Sequence, residues 1–199
     1  MPRVLSEEDV AGFRDRLCEA AARIFIERGR DGFNMRELAA RLGVSAMTPY
    51  RYFKDKDEIL AAVRARAFER FADRLEEALA APGAPLEKGA AVGRAYVKFA
   101  LEEPQAYRLM FDLSQPRAES FPDLAAADKR ARDTMTGYVK LLVDAGIYEG
   151  DPVIIGHVMW AALHGALVLQ LAGKLGDHPD PAALRTEALR ALHCAYRKR

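Results

Sequence analysis

The sequence predicts an all-α protein, a three-helix head joined by a connector helix to a five-helix C-terminal bundle. Two observations carry this. Candidate helix starts pair a capping residue with an acid three positions later, or with a proline one position later. Between these starts apolar residues recur at intervals of three and four, and no stretch reads as a strand.

Ser6 and Asp9 have capping-box spacing, and Val10, Phe13, Leu17, Ala21 and Ile24 then trace one helical face that ends near Gly29 to Gly32. Asn34 and Glu37 repeat the box before a short helix ending at Leu42-Gly43. Ser45 can cap a third short helix running to about Phe53. Asp55 and Glu58 open a long connector with the face Leu60, Val63, Ala67, Phe71, Leu75 and Leu79, broken by the prolines and glycine of 81–85. Further helices are expected over 86–102, over 104–114 with Pro104 in its first position, and over 123–147 after a looser 115–122 stretch. Asp151-Pro152 and Asp180-Pro181 each put a capping acid before a first-turn proline, starting helices near 152–174 and 181–197.

Half of the 199 residues are hydrophobic, enough to bury a substantial core. Thirty basic against twenty-nine acidic residues leave a formal net charge of +1, so any nucleic-acid role must come from a local patch. Cys18 and Cys194 lie far apart, without disulfide-framework or zinc spacing, which fits a reducing cytoplasm. Residues 1–9 lack the basic-then-apolar order of a secretory signal, so a cytoplasmic protein is expected.

Such a patch exists. Between Arg28 and Lys56 there are seven basic residues (Arg28, Arg30, Arg36, Arg41, Arg51, Lys54, Lys56) and three acids (Asp31, Glu37, Asp55), a local excess of four positive charges. It coincides with two helices too short to be stable alone, joined by Leu42-Gly43-Val44-Ser45. Gly43 supplies a left-handed turn there. This is a helix-turn-helix layout, whose second helix enters the major groove of DNA while the first crosses the phosphates.

The string NMRELAARLGVSAMTPYRYFKDKDEILAAV resembles the tetracycline-repressor (TetR) family of bacterial regulators over about the first 65 residues. Phe33, Leu38-Ala39, the Gly43-Val44-Ser45 turn, Thr48, Tyr50, Tyr52-Phe53 and Lys56 carry the match. Trp160, His164 and Gly165 resemble the Trp-His-Gly pattern of one subgroup of family C-terminal domains. The resemblance implies a DNA-binding domain at 1–56 and a ligand-sensing, dimerising domain at 57–199. It puts Asn34, Tyr50 and Lys56 on phosphates, where amide, phenol and helix-start ammonium can all donate. Base reading would fall to Arg36, whose fork suits guanine, and to Ala46, Met47, Thr48, Arg51 and Tyr52 in the first turns of the third helix, with Ser45 counted among the DNA-binding residues at its cap. The chain departs from the family pattern at Met47, usually small, and at Pro49, usually a bulky apolar residue. Pro49 removes a backbone donor and can tighten the helix. Without the motif, Arg36 and Lys56 would read as solvated charges, Phe53 as core, and Tyr52 equally as core or contact.

From Pro152 to Gly173 no side chain is charged apart from two histidines, and the run is long enough to cross a membrane. His157, His164 and Gln170 are costly in hydrocarbon, however, and the run is solitary, so burial against a core on one face and a second subunit on the other is preferred. The resemblance implies a homodimer through the helices near 152–174 and 181–197, binding a palindromic double-stranded operator. For a small, largely apolar effector the candidate residues are Tyr107, Met110, Phe111, Met135, Tyr138, Trp160 and His164, each of which also reads as ordinary core.

An enzyme needs a constellation, and none is found. His157 and His164 are seven apart, about 10 Å along a helix, too far for one metal without another donor between them. HExxH, GxSxG, P-loop and dinucleotide-glycine patterns are missing, Glu7-Glu8 and Glu102-Glu103 read as solvated or capping acids, and no cofactor is expected. The rival class is a helical adaptor binding only protein, which would tolerate loss of Tyr50 and Lys56.

Overall fold

The structure, a computed structural model, describes residues 7–112 and 117–198. Among these residues it is all-helical: α1 (Glu7–Arg28), α2 (Met35–Arg41), α3 (Lys56–Ala80), α4 (Pro85–Glu102), α5 (Pro104–Met110), α6 (Pro122–Asp144), α7 (Pro152–Leu171) and α8 (Pro181–Tyr196), with single 3-10 turns at Pro49–Arg51 and Ala118–Ser120. The expected Ser6 cap lies outside the described residues, as do 113 and 114 of the expected 104–114 helix and 115 and 116 of the loop beyond it.

The caps explain where the helices start. The Asn34 side-chain oxygen accepts from the N–H groups of Arg36 and Glu37 at 2.8 and 3.4 Å. Asp55 does the same for Asp57 and Glu58 at 3.0 and 2.9 Å, and Asp151 for Val153 and Ile154. Asp180 holds Ala183 N–H at 2.8 Å. The reciprocal halves of two expected boxes go elsewhere. Glu37 pairs with Arg28 and Arg41, and the Glu58 carboxylate accepts from Lys54 N–H.

One element departs from expectation. The third head helix, expected as an α-helix from Ser45 to Phe53, is a turn followed by the 49–51 3-10 turn. Pro49 has no N–H to give to Ser45, and Thr48 N–H takes that carbonyl instead at 2.8 Å. Arg51 to Thr48 and Tyr52 to Pro49 continue the three-residue spacing, and only Phe53 N–H to Pro49 restores the α spacing.

The chain divides into two compact units, Met1–Phe68 with Arg108–Asp128 and Glu69–Tyr107 with Lys129–Arg199. The core of the first is built from Leu17, Ala21 and Ile24 on α1, Leu38 on α2, Phe53, and Ile59, Leu60 and Val63 on α3. Phe25 stacks on Phe33 with ring centroids 4.2 Å apart, closing the α1–α2 corner. Val10, expected on the buried α1 face, is exposed, and Phe13 is half-buried. Arg64 on α3 is buried and donates to the Met110 carbonyl, one of the acceptors orphaned where α5 ends. Phe68 meets Phe111 edge to face.

In the second unit α7 is seated on α6 through Gly156, where an added Cβ would lie 2.8 Å from the Thr136 Cβ and 3.1 Å from its backbone. Val139, Leu142, Tyr148, Ile155 and Met159 form one core cluster, with Leu192 and Tyr196 of α8 packed on it. Arg130 bridges Asp73 and Glu76, and Arg74 bridges Glu102 and Glu103, tying α3 to α6 and α4 within this unit.

Candidate nucleic-acid interface

The helix-turn-helix turn is made as the sequence predicts, with Gly43 at φ +65° and its N–H bonded to the Ala40 carbonyl. Beyond it Ser45 Oγ accepts from Met47 N–H at 3.4 Å, which holds the backbone as it enters the 3-10 turn. The turn buries Pro49 and Phe53 and leaves Ser45, Ala46, Met47, Tyr50 and Arg51 exposed, with Met47 at 67 % and Tyr50 at 47 %. Thr48, Tyr52 and Lys56 are half-exposed. Tyr52 leans on Phe13 with centroids 4.9 Å apart, so one face of its ring belongs to the core. Asn34 and Arg36 are exposed at the start of α2, and the cap uses only the Asn34 oxygen, leaving its amide hydrogens available.

Charge divides the seven cations of this stretch into two groups. Arg28 pairs with Glu37, Arg30 with Asp57 in a two-pronged contact at 2.9 and 3.1 Å, and Arg41 with Glu27 and Glu37. Arg36, Arg51, Lys54 and Lys56 make no ion pair among the described residues. The unneutralised four lie on the stretch from the start of α2 to the start of α3, which contains the helix-turn-helix turn. Lys56 is the first residue of α3, whose Asp57 and Glu58 N–H groups are already held by the Asp55 cap, so the ammonium is the group it offers an anion.

The second unit holds a cavity of about 620 Å³ between α4, α6, α7 and α8. Of the residues singled out in the sequence, Met135, Tyr138 and Trp160 line it. Tyr107 and His164 are not in its lining but bond to Tyr96, which is. Met110 and Phe111 belong to the other unit. The sequence placed this helix but no candidate effector residue on it, although Gly89 and Gly93, four apart, mark a helix face without side chains.

Behind that wall lies a polar cluster. Trp160 Nε1–H donates to the Tyr96 hydroxyl at 3.1 Å, the Tyr96 and Tyr107 hydroxyls are 2.8 Å apart, and Tyr107 lies 2.6 Å from His164 Nδ1. Tyr96 also lies 3.2 Å from that nitrogen, and an order compatible with these contacts runs indole to Tyr96, Tyr96 to Tyr107, and Tyr107 to an unprotonated Nδ1. Burial lowers the His164 pKa, which keeps the imidazole in the neutral form this order requires. Burial likewise pushes the Tyr96 hydroxyl up to about 12 and raises that of Tyr107 further, so both remain donors.

A helix-turn-helix unit with an exposed cationic stretch defines the class, an all-helical DNA-binding protein. Residues 17–63 match the family described as bacterial regulatory proteins, tetR family, and residues 89–192 match the tetracyclin repressor-like C-terminal domain. The chain is 30% identical to the HTH-type transcriptional activator FasR of Mycolicibacterium smegmatis, across 74% of this chain and 80% of that one. It is 24% identical to the transcriptional repressor KstR2 of the same organism, across 71% and 68%. A solved structure from Rhodococcus sp. RHA1, described as of unknown function, superposes over the full length of both chains with a TM-score of 0.81 and 26% identity. The chain belongs to the TetR family and is a DNA-binding transcriptional regulator, in a family of regulators rather than enzymes.

Proposed function

We propose that this regulator binds a palindromic operator as a homodimer, represses transcription from it, and is released by a small, largely apolar effector. The observation that carries the reading is the presence in one chain of an exposed, unneutralised reading stretch and of a second unit with a cavity. Residues 1–56 do the DNA binding and 57–199 the sensing and pairing. Asn34, Tyr50 and Lys56 hold phosphates. Arg36, Ala46, Met47, Thr48, Arg51 and Tyr52 face the bases, and Ser45 adds to the DNA-binding surface beside them.

Pairing is supported by α7. It is apolar throughout, yet Val153 and Ile154 are each 60 % exposed, with Val168 and Leu169 above 40 %. By length and composition this helix could cross a membrane, and 33% of its most apolar window is buried within the chain. We assign its open face to a second copy, with α8 completing a four-helix interface, because a two-fold dimer is what a palindrome requires. The Trp160, His164 and Gly165 pattern supports placing the chain in the Trp-His-Gly subgroup. The effector works by population shift, favouring a conformer whose heads no longer match the operator, with α3 transmitting the change. Repression follows the sign of KstR2; FasR carries the opposite one.

The experiment is selection on random duplex DNA at stated salt with the chain and with Arg36→Ala and Lys56→Ala, alongside sedimentation of the free protein. A palindrome, a dimer, uniform weakening by Lys56→Ala and relaxed preference at one base with Arg36→Ala are expected. Absence of any enriched sequence at physiological salt would overturn the operator reading, and a reporter driven by the selected site fixes the sign of regulation.

A further inference from the structure

We propose that the cavity of the second unit takes an amphiphilic anion, an apolar chain ending in a carboxylate or a phosphate. This rests on the effector reading above and specifies its ligand. The cavity, about 620 Å³, is of the size that small-molecule sites occupy. Its inner lining is apolar and buried, with Val92, Met135, Met159 and Leu163 among it. Three cations also line it, Arg94 and Lys98 on α4 and Arg185 on α8, and no carboxylate does.

Two of these cations make no ion pair among the described residues, and the third makes only a long, exposed one. Arg94 makes no ion pair among the described residues. Arg185 donates to the amide oxygen of Gln170, a neutral acceptor. Lys98 has Glu102 at 3.8 Å, an exposed pair one helical turn away that contributes little. Arg94 and Lys98 are exposed and Arg185 is half-buried, so positive charge gathers toward solvent while the greasy lining lies inward. That polarity matches a ligand with a tail and an anionic head. Carboxylate and phosphate both accept the fork of an arginine, and a low-dielectric wall on one side strengthens the attraction. A neutral apolar ligand would fill the interior and leave the cations unused.

Gly93 provides a steric control. It lines the cavity, and a Cβ added there meets nothing within 4 Å, so Gly93→Leu can fill the space without forcing the backbone. Trp160, the single tryptophan of the chain, also lines the cavity and reports on occupancy.

The test is a Trp160 fluorescence titration of the full chain with dodecanoate, dodecyl phosphate and dodecanol, all below their micellar range. At least one anion is expected to bind about tenfold or more tighter than the alcohol, and the comparison of the two anions identifies the head group. Arg94→Ser combined with Arg185→Ser should shrink that advantage to less than about threefold while leaving the alcohol unchanged, and Gly93→Leu should weaken anion and alcohol alike. Equal binding of dodecanol, an advantage that survives loss of both arginines, undiminished anion binding in Gly93→Leu, or no Trp160 response to either anion would each overturn the proposal. Operator release followed in the same titration separates the two readings. Selective anion binding that leaves DNA bound sinks the effector reading alone, whereas release by dodecanol but not by the anions sinks the ligand assignment alone.

Discussion

Removing Lys56 should flatten the salt dependence of operator binding, and removing Arg41 should not. Each phosphate neutralised on duplex DNA releases condensed counterions, and the logarithm of affinity falls with the logarithm of salt by about 0.9 per phosphate. The structure leaves Arg36, Arg51, Lys54 and Lys56 without ion pairs among the described residues. With two heads on a palindrome, Lys56→Ala deletes one such contact per head, and the slope should become shallower by about 1.8. Between about 50 and 200 mM salt that is a loss of affinity roughly tenfold smaller than in the unmodified protein. Arg41 is already held by Glu27 and Glu37, so Arg41→Ala frees two carboxylates and removes no counterion-releasing contact. Tyr50→Phe should weaken binding with the slope intact, because a phenol carries no charge. Fluorescence anisotropy of a labelled operator across a salt series measures all three. An unchanged slope in Lys56→Ala, or an equal flattening by Arg41→Ala, would refute the division of this stretch into paired and unpaired cations.

Two further outcomes concern the second unit. Gly156→Ala pushes a methyl against the backbone of Thr136, an overpacking worth about 1–3 kcal/mol against a helix-propensity gain of up to about 1 kcal/mol, whereas a Cβ at Gly137 meets nothing. Calorimetry should therefore show the melting temperature falling by up to about 12 °C for the first and rising for Gly137→Ala; a rise for both would show that α6 and α7 are not in that close contact. The depressed pKa of His164 means that the unfolded chain takes up the proton first as pH falls. The contribution of the neutral imidazole is complete above the ordinary histidine value, about 6.5, and is lost as pH drops from there toward the folded value. Chemical denaturation at a series of pH values should show this loss, and His164→Gln should remove that part of it; an identical pH profile in the variant would count against the neutral, Tyr107-bonded imidazole.

Much of the molecule was legible in its sequence because the signals were local. A side-chain acceptor and the N–H groups two and three residues on are neighbours in any helix start, so Asn34, Asp55, Asp151 and Asp180 act as caps whatever surrounds them. Gly43 announces a left-handed turn for the same reason, and the apolar spacing of α3 names a face of which Leu60, Val63, Ala67, Phe71 and Leu75 are buried and Leu79, near the helix end, is half-buried. The 3-10 form of the third helix was half visible: Pro49 signals a missing donor, but that Thr48 would take the Ser45 carbonyl depends on how the turn packs.

Other features were settled only by tertiary structure. Which of seven cations are neutralised turns on contacts between residues far apart in the chain, such as Arg30 with Asp57, and summed charge cannot reveal them. Val10 fits the pattern of the α1 face and is exposed, because a periodic stripe says where a core could reach and not how far it does. The cavity is assembled from four helices spread between Gly89 and Leu189, and the polar cluster behind it joins Tyr96, Tyr107, Trp160 and His164 across 68 residues of chain. Sequence spacing shows which residues share a helix, but the empty space between helices exists only once they are packed.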